Sequence, residues 1–417
     1  MDPGSASRWT NAQSTDSGSI EVRSRLRVGF KLKREARIKK TAKRIGLAII
    51  GAGRVGLFRG EVAARHPQVD WIGLAERRPA RANEVAQTIG ADFVTADFRA
   101  LLARPEVTAV IVATDEHLHV DPILSAAERR LPMLIEKPLA TELAASERVL
   151  RAIEAAGVDA LVGYTQRFRR RWLAAKEKVR SGALGDVTLV TSRAFMNRLV
   201  AIDNYQRTDA PEQISPMVIS GTHALDLVMW MMEKKTPVEA YARSIDKVLG
   251  PQYGGIDATA GLITFGDGSL YHLSISWAMP VTWPAAVYSL EVGIAGTEGV
   301  LTIDDTHRDI VLAVSKPQQE GYRPDASRLV DFMGSYPPGD VALGELRGPM
   351  REETESWLNH VSLGLPTQAA TAAEAHNRLM LTKALDLSAR LKRPVRLPIS
   401  AEDEREGVTK ARERAQV

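Results

Sequence analysis

The sequence predicts an α/β protein with two domains, the first built on a parallel sheet covered by helices and the second on a mostly antiparallel sheet. Three observations support this prediction. The chain has 417 residues, which is enough for two domains. Up to about residue 167, short apolar runs alternate with helical segments. Beyond that point, strand-like segments follow one another and are separated by turn signals.

The first domain follows from its alternating pattern. The apolar run Ile45 to Ile50 ends in glycines, which is typical of a buried parallel strand before a helix. A helical stretch continues to about Arg65. Further strands are predicted at 70–75, 107–113, 133–135 and 160–163, and helices at 79–89, 121–130 and 141–156. Because helices connect the strands, the strands run parallel and helices cover both faces of the sheet.

The second domain is predicted to be rich in antiparallel strands. Gly266-Asp267-Gly268 is a hairpin turn signal, and Thr297-Glu298-Gly299 is another. Strands are predicted at 187–195, 238–244, 258–265, 269–279, 286–295 and 299–303, and helices near 221–232 and at 371–392. Residues 398–417 are expected to form a flexible tail, which is charged from residue 401 onward.

The charge of the chain is concentrated in its N-terminal segment. The whole chain carries +4, but residues 1–44 contain 12 Lys and Arg against 4 Asp and Glu. The remaining 43 basic and 47 acidic residues give −4, which argues against a nucleic-acid-binding fold. Residues 1–43 are expected to be a disordered basic tail, which either contacts an anionic surface or is a solvated extension.

The composition excludes several classes of protein. The chain has no cysteine, which excludes disulfides, thiolate catalysis and cysteine-ligated metals. No apolar run reaches the roughly 18 residues of a membrane span. No apolar segment of a secretory signal follows the basic tail. We therefore expect a cytoplasmic protein without a membrane span or a nucleic-acid partner.

The segment Gly51-Ala52-Gly53-Arg54-Val55-Gly56 matches the G-x-G-x-x-G pattern between a predicted strand and a predicted helix. Its first glycine allows a tight turn, the second lets the backbone approach a pyrophosphate, and the third lets helix and strand pack closely. Glu76 follows 20 residues after Gly56, at the end of the second strand, where a carboxylate can bind ribose hydroxyls. The pattern therefore predicts dinucleotide binding.

The choice of dinucleotide depends on neighbouring charges. The Glu76 carboxylate repels a 2′-phosphate and favours NAD(H), whereas Arg77 and Arg78 could attract that phosphate. The sequence therefore favours NAD(H) over NADP(H).

Two more polar segments follow predicted strands of the same sheet. Thr114 to His119 follows the strand at 107–113, and Glu136-Lys137-Pro138 follows the next one. Ligands bind at the carboxyl ends of strands in open α/β sheets, so both segments are expected to border the cofactor. His119 has no second ligand at a metal-site spacing, and no metal is predicted.

Together these motifs resemble the Gfo/Idh/MocA oxidoreductase family over residues 44–397. The resemblance is carried by the glycine pattern and by four later segments: Ala113-Thr114 with His119, Glu136-Lys137-Pro138-Leu139-Ala140, Gly163-Tyr164-Thr165-Gln166-Arg167-Phe168 and Gly221-Thr222-His223-Ala224-Leu225-Asp226. It implies a Rossmann domain over 44–166 and a substrate-binding α/β domain over 167–397. The large open sheet of that second domain implies a homodimer or homotetramer, and the helix 371–392 could pack back on the Rossmann domain.

The resemblance also assigns roles to individual residues. It implies that Lys137 lies near the nicotinamide and substrate and that His223 is the catalytic acid or base. A histidine suits proton transfer near neutral pH, and a lysine ammonium can stabilise a developing negative charge. The predicted cofactor-binding residues are Gly51, Gly53, Arg54, Val55, Gly56, Glu76, Arg77, Thr114, His119, Glu136 and Lys137.

Two positions depart from the family pattern. Many relatives have an aspartate four residues before the catalytic histidine, where this chain has Ile219. Either Lys137 then carries more of the proton transfer or another carboxylate, such as Asp226, substitutes. Asp115 stands where proline is usual, which should change the loop more than the chemistry.

Substrate contacts are predicted in the second domain, with structural roles as the alternative for each residue. Arg167, Asn197, Tyr205 and Asp226 are the predicted substrate residues, and Arg198, Asn204, Trp277 and Trp283 are further candidates. We expect an NAD(P)-dependent dehydrogenase that acts on a hydroxyl carbon of a sugar, polyol or related cyclic small molecule. The alternatives are an NAD-dependent glycoside-cleaving enzyme that oxidises its substrate transiently, and a non-catalytic NAD(H)-binding regulator.

Overall fold

The computed structural model describes residues 42–207, 214–281, 290–304, 310–319, 327–333 and 339–415. The predicted basic tail up to residue 41 and the candidate Trp283 lie outside these ranges.

The first domain contains a seven-stranded sheet in the order β17-β6-β5-β4-β1-β2-β3, and all its strands run parallel except β17. Its strands are β1 (Ile45–Ile50), β2 (Val69–Ala75), β3 (Phe93–Thr95), β4 (Ala109–Val112), β5 (Met133–Glu136), β6 (Ala160–Gly163) and β17 (Ala370–Thr371). Its helices are α1 (Arg54–Ala64), α2 (Pro79–Ile89), α3 (Phe98–Leu102), α4 (Val120–Glu128) and α5 (Leu143–Ala156). This arrangement confirms the predicted Rossmann domain.

The strand order of this sheet places the polar segments side by side. The chain order reverses between β1 and β4, which creates a crevice at their carboxyl ends. The glycine segment follows β1, Thr114 follows β4, and Lys137 follows β5. The three segments therefore stand in one row along the same edge of the sheet.

The second domain contains a sheet of seven strands in the order β12-β11-β7-β10-β9-β8-β18. The strands β7 and β10 are paired in parallel, and the other pairs are antiparallel, which confirms the mostly antiparallel sheet. These strands are β7 (Val187–Asn197), β8 (Pro237–Ile245), β9 (Ala258–Phe265), β10 (Leu270–Met279), β11 (Leu290–Gly296), β12 (Val300–Asp304) and β18 (Val395–Arg396). The helices that follow the first domain are α6 (Arg170–Arg180), α7 (Leu199–Arg207), α8 (Thr222–Met231), α9 (Gly250–Tyr253), α10 (Pro349–Leu363), α11 (Ala372–Leu391) and α12 (Ala401–Ala415). Two small hairpins complete the described elements: β13 (Ile310–Gln319) with β14 (Ser327–Met333), and β15 (Asp340–Ala342) with β16 (Glu345–Arg347).

The last part of the chain returns to both domains. β17 pairs with β6 in the first sheet, and β18 pairs with β8 in the second. Between them, α11 contributes Ala372 and Ala375 to the core of the first domain and Leu381 and Leu385 to the core of the second. The helix α11 thus packs on both sheets.

The C-terminal segment differs from its prediction as a flexible tail over 398–417. Residues 401–415 form α12, which is composed largely of good helix formers. Ser400 accepts the backbone N–H of Asp403, and Arg393 donates to Asp403 and Glu406 at 2.8 and 2.7 Å. These contacts fix the start of the helix against the end of α11.

A buried ion cluster connects the helical turn after β6 (Thr165–Phe168) to α8 and α11. Arg167 donates to Asp226 at 2.8 and 2.5 Å and to Glu374 at 3.0 Å, while Arg378 donates to Asp226 at 3.3 Å. Arg167 and Asp226 are 2% and 1% exposed. The N-cap residue Thr371 of α11 and Glu374 form a reciprocal capping box. The cluster therefore locks the start of α11 onto the helix that carries His223.

The cost of removing one charge from this cluster can be measured. Asp226→Asn should lower the free energy of unfolding in urea by about 3 kcal/mol, because two buried guanidinium groups lose their shared counter-charge. The control Glu177→Gln removes a charge from the exposed pair with Arg180 and should cost about 0.5 kcal/mol or less. Equal losses in the two variants would contradict the structural role of the cluster.

Candidate active site

A cavity of about 500 Å³ lies at the crevice of the first sheet. The residues that line it come from the ends of β1, β2 and β4 and from the helices beside them. Among them are the predicted cofactor residues Gly51, Gly53, Glu76, Arg77 and Thr114.

The three glycines of the loop after β1 differ in the space that surrounds each of them. Gly51 has a φ of +101°, and an added Cβ would lie 2.4 Å from the carbonyl oxygen of Ala113. A Cβ on Gly56 would lie 2.0 Å from the oxygen of Gly51. A Cβ on Gly53 would meet no atom of the described chain within 4 Å. The first and third glycines are thus required by packing, and the second borders open space.

The N-terminus of α1 presents backbone donors that no side chain caps. Gly53 is the N-cap residue, and no side chain caps the helix there. The first N–H groups of the helix and its partial positive charge therefore face the space beside Gly53, where a diphosphate can bind.

Glu76 is held in its ionised form at the edge of the cavity. Its carboxylate accepts the backbone N–H of Ala52 at 3.0 Å and both the backbone N–H and Nε of Arg78, at 3.0 and 2.9 Å. Burial opposes ionisation, but these hydrogen bonds and the Arg78 charge prevail and lower the pKa of Glu76 to about 2. Arg78 is thus engaged by Glu76, while Arg77 is exposed at the cavity.

Thr114 and His119 define the middle of the row. The Oγ1 atom of Thr114 is buried and has no hydrogen-bond partner within the described part of the chain. The ring nitrogens of His119 lie 2.8 Å from the carbonyl oxygen of Pro138 and 3.1 Å from that of Thr114. His119 therefore connects the loop after β4 to the loop after β5, and Thr114 keeps a hydroxyl available to a bound group.

Lys137 and His223 meet where the two domains adjoin. Lys137 follows β5, in a cis peptide bond with Pro138, and its Nζ donates to the carbonyl oxygen of Ile219 at 3.2 Å. His223 lies in the first turn of α8. Burial of the imidazole and the nearby Lys137 charge lower the pKa of His223 well below its usual value. The imidazole is therefore neutral at neutral pH.

The segment before α8 forms one turn of π-helix, Met217–Gly221. Ser215 accepts the backbone N–H of Val218 at the start of this turn and donates to the buried carboxylate of Asp386 on α11 at 2.6 Å. The wide turn directs the carbonyl of Ile219 toward Lys137, while the Ile219 side chain packs in an apolar cluster. The backbone, not the side chain, of residue 219 thus contacts the lysine.

Tyr164 supports His223 from the first domain. The two rings meet edge to face, with centroids 6.1 Å apart. The Tyr164 hydroxyl is within hydrogen-bond distance of Thr222 Oγ1, at 3.1 Å. Burial raises the pKa of this phenol above its usual range, so Tyr164 stays neutral.

Other predicted cofactor residues lie away from the cavity. Arg54 is exposed on α1, Val55 packs against an apolar cluster, and Gly56 is buried beneath the loop. The Glu136 carboxylate contacts Arg59. Neither these four residues nor His119 and Lys137 line the cavity, although Arg54 and Gly56 belong to the loop and helix that border it.

The predicted substrate residues are mostly engaged in structural contacts. Arg167 and Asp226 form the buried ion cluster, which supports the structural alternative for both. Asn197 accepts the backbone N–H of Leu199, and Tyr205 stacks on Tyr253. Of the further candidates, Arg198 donates to the carbonyls of Ala278 and Met279, Trp277 donates to that of Ile256, and Asn204 is buried.

The sequence analysis missed several residues near the site. His117 and Arg148 line the cavity, and Arg59 and Glu353 form a buried ion pair behind the Lys137 loop. The only signal for Arg59 was its place in the helix that follows the glycine loop. No local pattern indicated Glu353, because it meets Arg59 from 294 residues further along the chain.

The site fits a dinucleotide. The open space at Gly53, the uncapped helix start, the Glu76 carboxylate and the buried Thr114 hydroxyl match a diphosphate, a ribose and a further polar contact. The Lys137 amine follows β5 at the same sheet edge, and its contact with the Ile219 carbonyl brings it to the segment that leads into the helix of the neutral His223 imidazole. Together, the fold and the site define an NAD-dependent oxidoreductase.

Comparisons with known proteins give the family. Residues 45–164 match the oxidoreductase family with the NAD-binding Rossmann fold, and residues 172–302 match the GFO/IDH/MocA C-terminal domain. The chain therefore belongs to the Gfo/Idh/MocA oxidoreductase family, as its motifs indicated.

Individual relatives agree with this assignment. The chain is 32% identical to an inositol 2-dehydrogenase of Acidothermus cellulolyticus over 319 residues, which are 74% of this chain and 88% of that protein. Two solved structures share its fold. One is GenD2 from gentamicin A biosynthesis in complex with NAD, with a TM-score of 0.72, 22% identity and coverage of 86% of this chain and 97% of that one. The other is the scyllo-inositol dehydrogenase of Lactobacillus casei with NAD(H) and scyllo-inositol, with a TM-score of 0.67, 18% identity and coverage of 85% and 99%.

Two features are absent from the residues that the structure describes. No helix in these ranges is long and apolar enough to cross a membrane. The same ranges contain no group of three or more His, Asp or Glu placed to hold a metal ion.

Two glycine variants separate cofactor binding from folding. Gly53→Ala should leave the melting temperature nearly unchanged, because its Cβ enters open space at a φ that any residue adopts. It should weaken NAD binding in calorimetry by about tenfold or more, because that space is needed for the diphosphate. Gly56→Ala is the matched comparison and should lower the melting temperature through its clash with Gly51. Unchanged NAD affinity in Gly53→Ala would contradict the placement of the diphosphate.

Proposed function

We propose that this protein is a dehydrogenase that oxidises one hydroxyl carbon of a polyol, sugar or related cyclic small molecule, with NAD(H) as its preferred cofactor. The observation that carries the proposal is the contact of Lys137 Nζ with the Ile219 carbonyl, which brings the ammonium to the turn that leads into the helix of the neutral His223 imidazole. A non-catalytic cofactor-binding protein has no need of a lysine and a low-pKa histidine in one cleft.

His223 is the proposed general base. Its lowered pKa keeps the imidazole neutral, so it can accept the proton of a substrate hydroxyl near neutral pH. Tyr164 and Thr222 fix the start of α8 and the plane of the ring. In the reverse direction, the protonated imidazole returns the proton to the substrate oxygen.

Lys137 is the proposed electrostatic partner. Its ammonium can donate a hydrogen bond to the reacting oxygen and stabilise the negative charge that develops there. The contact with the Ile219 carbonyl uses one of its three donors and leaves the others for substrate. When bound, the nicotinamide supplies the hydride acceptor, and the glycine loop, Glu76 and Thr114 are the residues that would hold the dinucleotide.

Ile219 alters the electrostatics of the site. The side chain at this position carries no carboxylate to offset the Lys137 charge, and the contacting group is a neutral carbonyl. Burial and the Lys137 charge, which no carboxylate at position 219 offsets, together keep the pKa of His223 low. We infer that the imidazole, not a carboxylate at position 219, accepts the substrate proton.

The substrate class is supported by the relatives. The relatives described above include an inositol 2-dehydrogenase and a scyllo-inositol dehydrogenase. Their names agree with a cleft that offers an amine and an imidazole to a hydroxyl group. Cyclic polyols are therefore the first substrates to test.

The assembly we propose is a homodimer or homotetramer through the outer face of the second sheet. By strand register, four exposed apolar side chains share that face: Leu189, Tyr241, Ile245 and Val300. Exposed apolar side chains spread across one open sheet face are typical of an interface between subunits.

Replacing Lys137 tests both the catalytic role and the charge effect. Lys137→Met should lower turnover with myo-inositol, scyllo-inositol or the best substrate of a sugar panel by about 100-fold or more, with little change in NAD affinity. It should also raise the pKa of His223, because a neighbouring positive charge is lost. An NMR titration of the imidazole in the absence of substrate measures this rise.

Lys137→Arg is the control for this experiment. It keeps the positive charge, so the pKa of His223 should stay low while turnover still falls, because the guanidinium cannot occupy the place of the ammonium. The pH profile of wild-type oxidation should fall only well below pH 6.5, since the neutral form of His223 is required. Wild-type turnover in Lys137→Met would remove this residue from the mechanism.

The cofactor preference depends on Glu76. Wild-type protein should bind NAD more tightly than NADP, because the ionised carboxylate repels a 2′-phosphate. Glu76→Ser should weaken NAD binding by about tenfold, since a charged hydrogen-bond acceptor is lost, and should strengthen NADP binding by releasing Arg78. Calorimetry with both cofactors measures the change, and a wild-type preference for NADP would contradict the assignment.

A further inference from the structure

Arg59 carries a fully buried charge that the proposed mechanism does not use. It lies in α1, the helix that begins at the glycine loop, and its side chain has no exposed surface. Its guanidinium donates to Glu136 at 2.6 Å, to Thr354 at 2.8 Å and to Glu353 at 2.7 Å. The planar fork of one arginine thus joins α1, the end of β5 and α10.

Glu136 brings this ion pair to the lysine. It is the last residue of β5 and directly precedes Lys137. The neighbouring strand makes room for the pair, because a Cβ on Gly163 would lie 2.7 Å from Nη2 of Arg59 and 3.2 Å from Oε1 of Glu136. The absence of a side chain at Gly163 therefore leaves the space in which Arg59 and Glu136 make contact.

The loop around Lys137 is fixed on both sides. On one side Arg59 holds the Glu136 carboxylate, and on the other His119 contacts the Pro138 carbonyl at 2.8 Å. The Lys137 ammonium itself has only the carbonyl of Ile219 as a described hydrogen-bond acceptor, at 3.2 Å. The position of the ammonium thus depends mainly on the backbone that carries it.

Burying these charged groups costs free energy that a purely structural contact would not require. Burial and the neighbouring Glu136 charge raise the pKa of Glu353 to about 7. The positive charges of Arg59 and Arg167 oppose this rise. The Oε1 atom of Glu353 is buried without a partner among the residues described. Apolar side chains of similar volume often hold such elements together at least as well.

We propose that Arg59 and Glu136 are positioning residues, which fix the backbone of the Lys137 loop so that the ammonium stays beside His223. The inference rests on the proposed function only in giving Lys137 a role. The Arg59 side chain also couples α1, whose start would receive the diphosphate, to β5, which precedes the lysine.

The pKa of His223 reports the position of the ammonium without any substrate. Removing the Glu136 carboxylate alone would lower an imidazole pKa nearby, because a negative charge is lost. Displacement of the Lys137 ammonium would raise it. If the pKa of His223 rises in Glu136→Ala, the lysine has been displaced, because loss of the Glu136 charge alone would lower that pKa.

The experiment is an NMR titration of the histidines in folded, NAD-binding protein. The His223 signal is assigned by its loss in His223→Asn. Glu136→Ala should raise the pKa of His223 by at least about 0.5, and Glu136→Gln, which keeps an acceptor for Arg59, should raise it less. In a Lys137→Met background, Glu136→Ala should cause no further rise, because it acts through the lysine.

Glu353→Gln is the matched control, because it replaces a carboxyl of the same cluster that bonds Arg59 but does not adjoin Lys137 in the chain. It should leave the pKa of His223 nearly unchanged. If Glu136→Ala does not fold, the comparison of Glu136→Gln with Glu353→Gln carries the test, and only the former should raise the pKa.

The outcomes distinguish this inference from the proposed function. A fall or no change in the pKa of His223 in the Glu136 variants overturns the positioning role. An equal rise in Glu353→Gln also overturns it, as does a rise that persists in the Lys137→Met background. By contrast, if Lys137→Met keeps wild-type turnover, the catalytic role of Lys137 fails whatever the Glu136 variants show.

Discussion

An ammonium lies close to an imidazole where the two domains of this protein adjoin. Burial of the imidazole and, after it, the charge of Lys137 keep the pKa of His223 low, so the histidine remains a proton acceptor. The arrangement requires that the two groups be brought together from different domains, one after β5 and the other at the start of α8. Most of the contacts described above serve to hold these two elements in place.

The two buried ion clusters hold opposite sides of that cleft. Arg59 fixes the lysine side, and Arg167 with Asp226 fixes the histidine side. Both clusters draw a partner from the last quarter of the chain, Glu353 in α10 and Glu374 in α11. The C-terminal helices are thus part of the support of the site, although they supply none of its proposed reacting groups.

The sequence was most informative where chemistry depends on local order along the chain. The glycine pattern, the polar segments after β4 and β5, and the His223 helix could all be located from neighbouring residues. The ion partners could not, because Arg59 meets Glu353 across 294 residues and only the fold brings them together. The contact at Ile219 could not be predicted for the same reason. The sequence showed that a carboxylate is missing at this position, but only the fold shows that a π-helical turn directs the backbone carbonyl to the lysine. The substrate residues were the least predictable, since polar side chains in a large domain more often complete the packing.

The late return of the chain to the first sheet, where β17 pairs with β6, affects whether the nucleotide-binding half can be produced as a separate fragment. Ala370 and Thr371 cover the outer edge of β6, and Glu353 also comes from beyond the nucleotide-binding half of the sequence. A fragment that ends near residue 166 would expose the backbone of β6 as an open edge and leave a buried arginine with half of its counter-charge. Such a piece would tend to self-associate, so the Rossmann half is a domain by shape but not an autonomous folding unit.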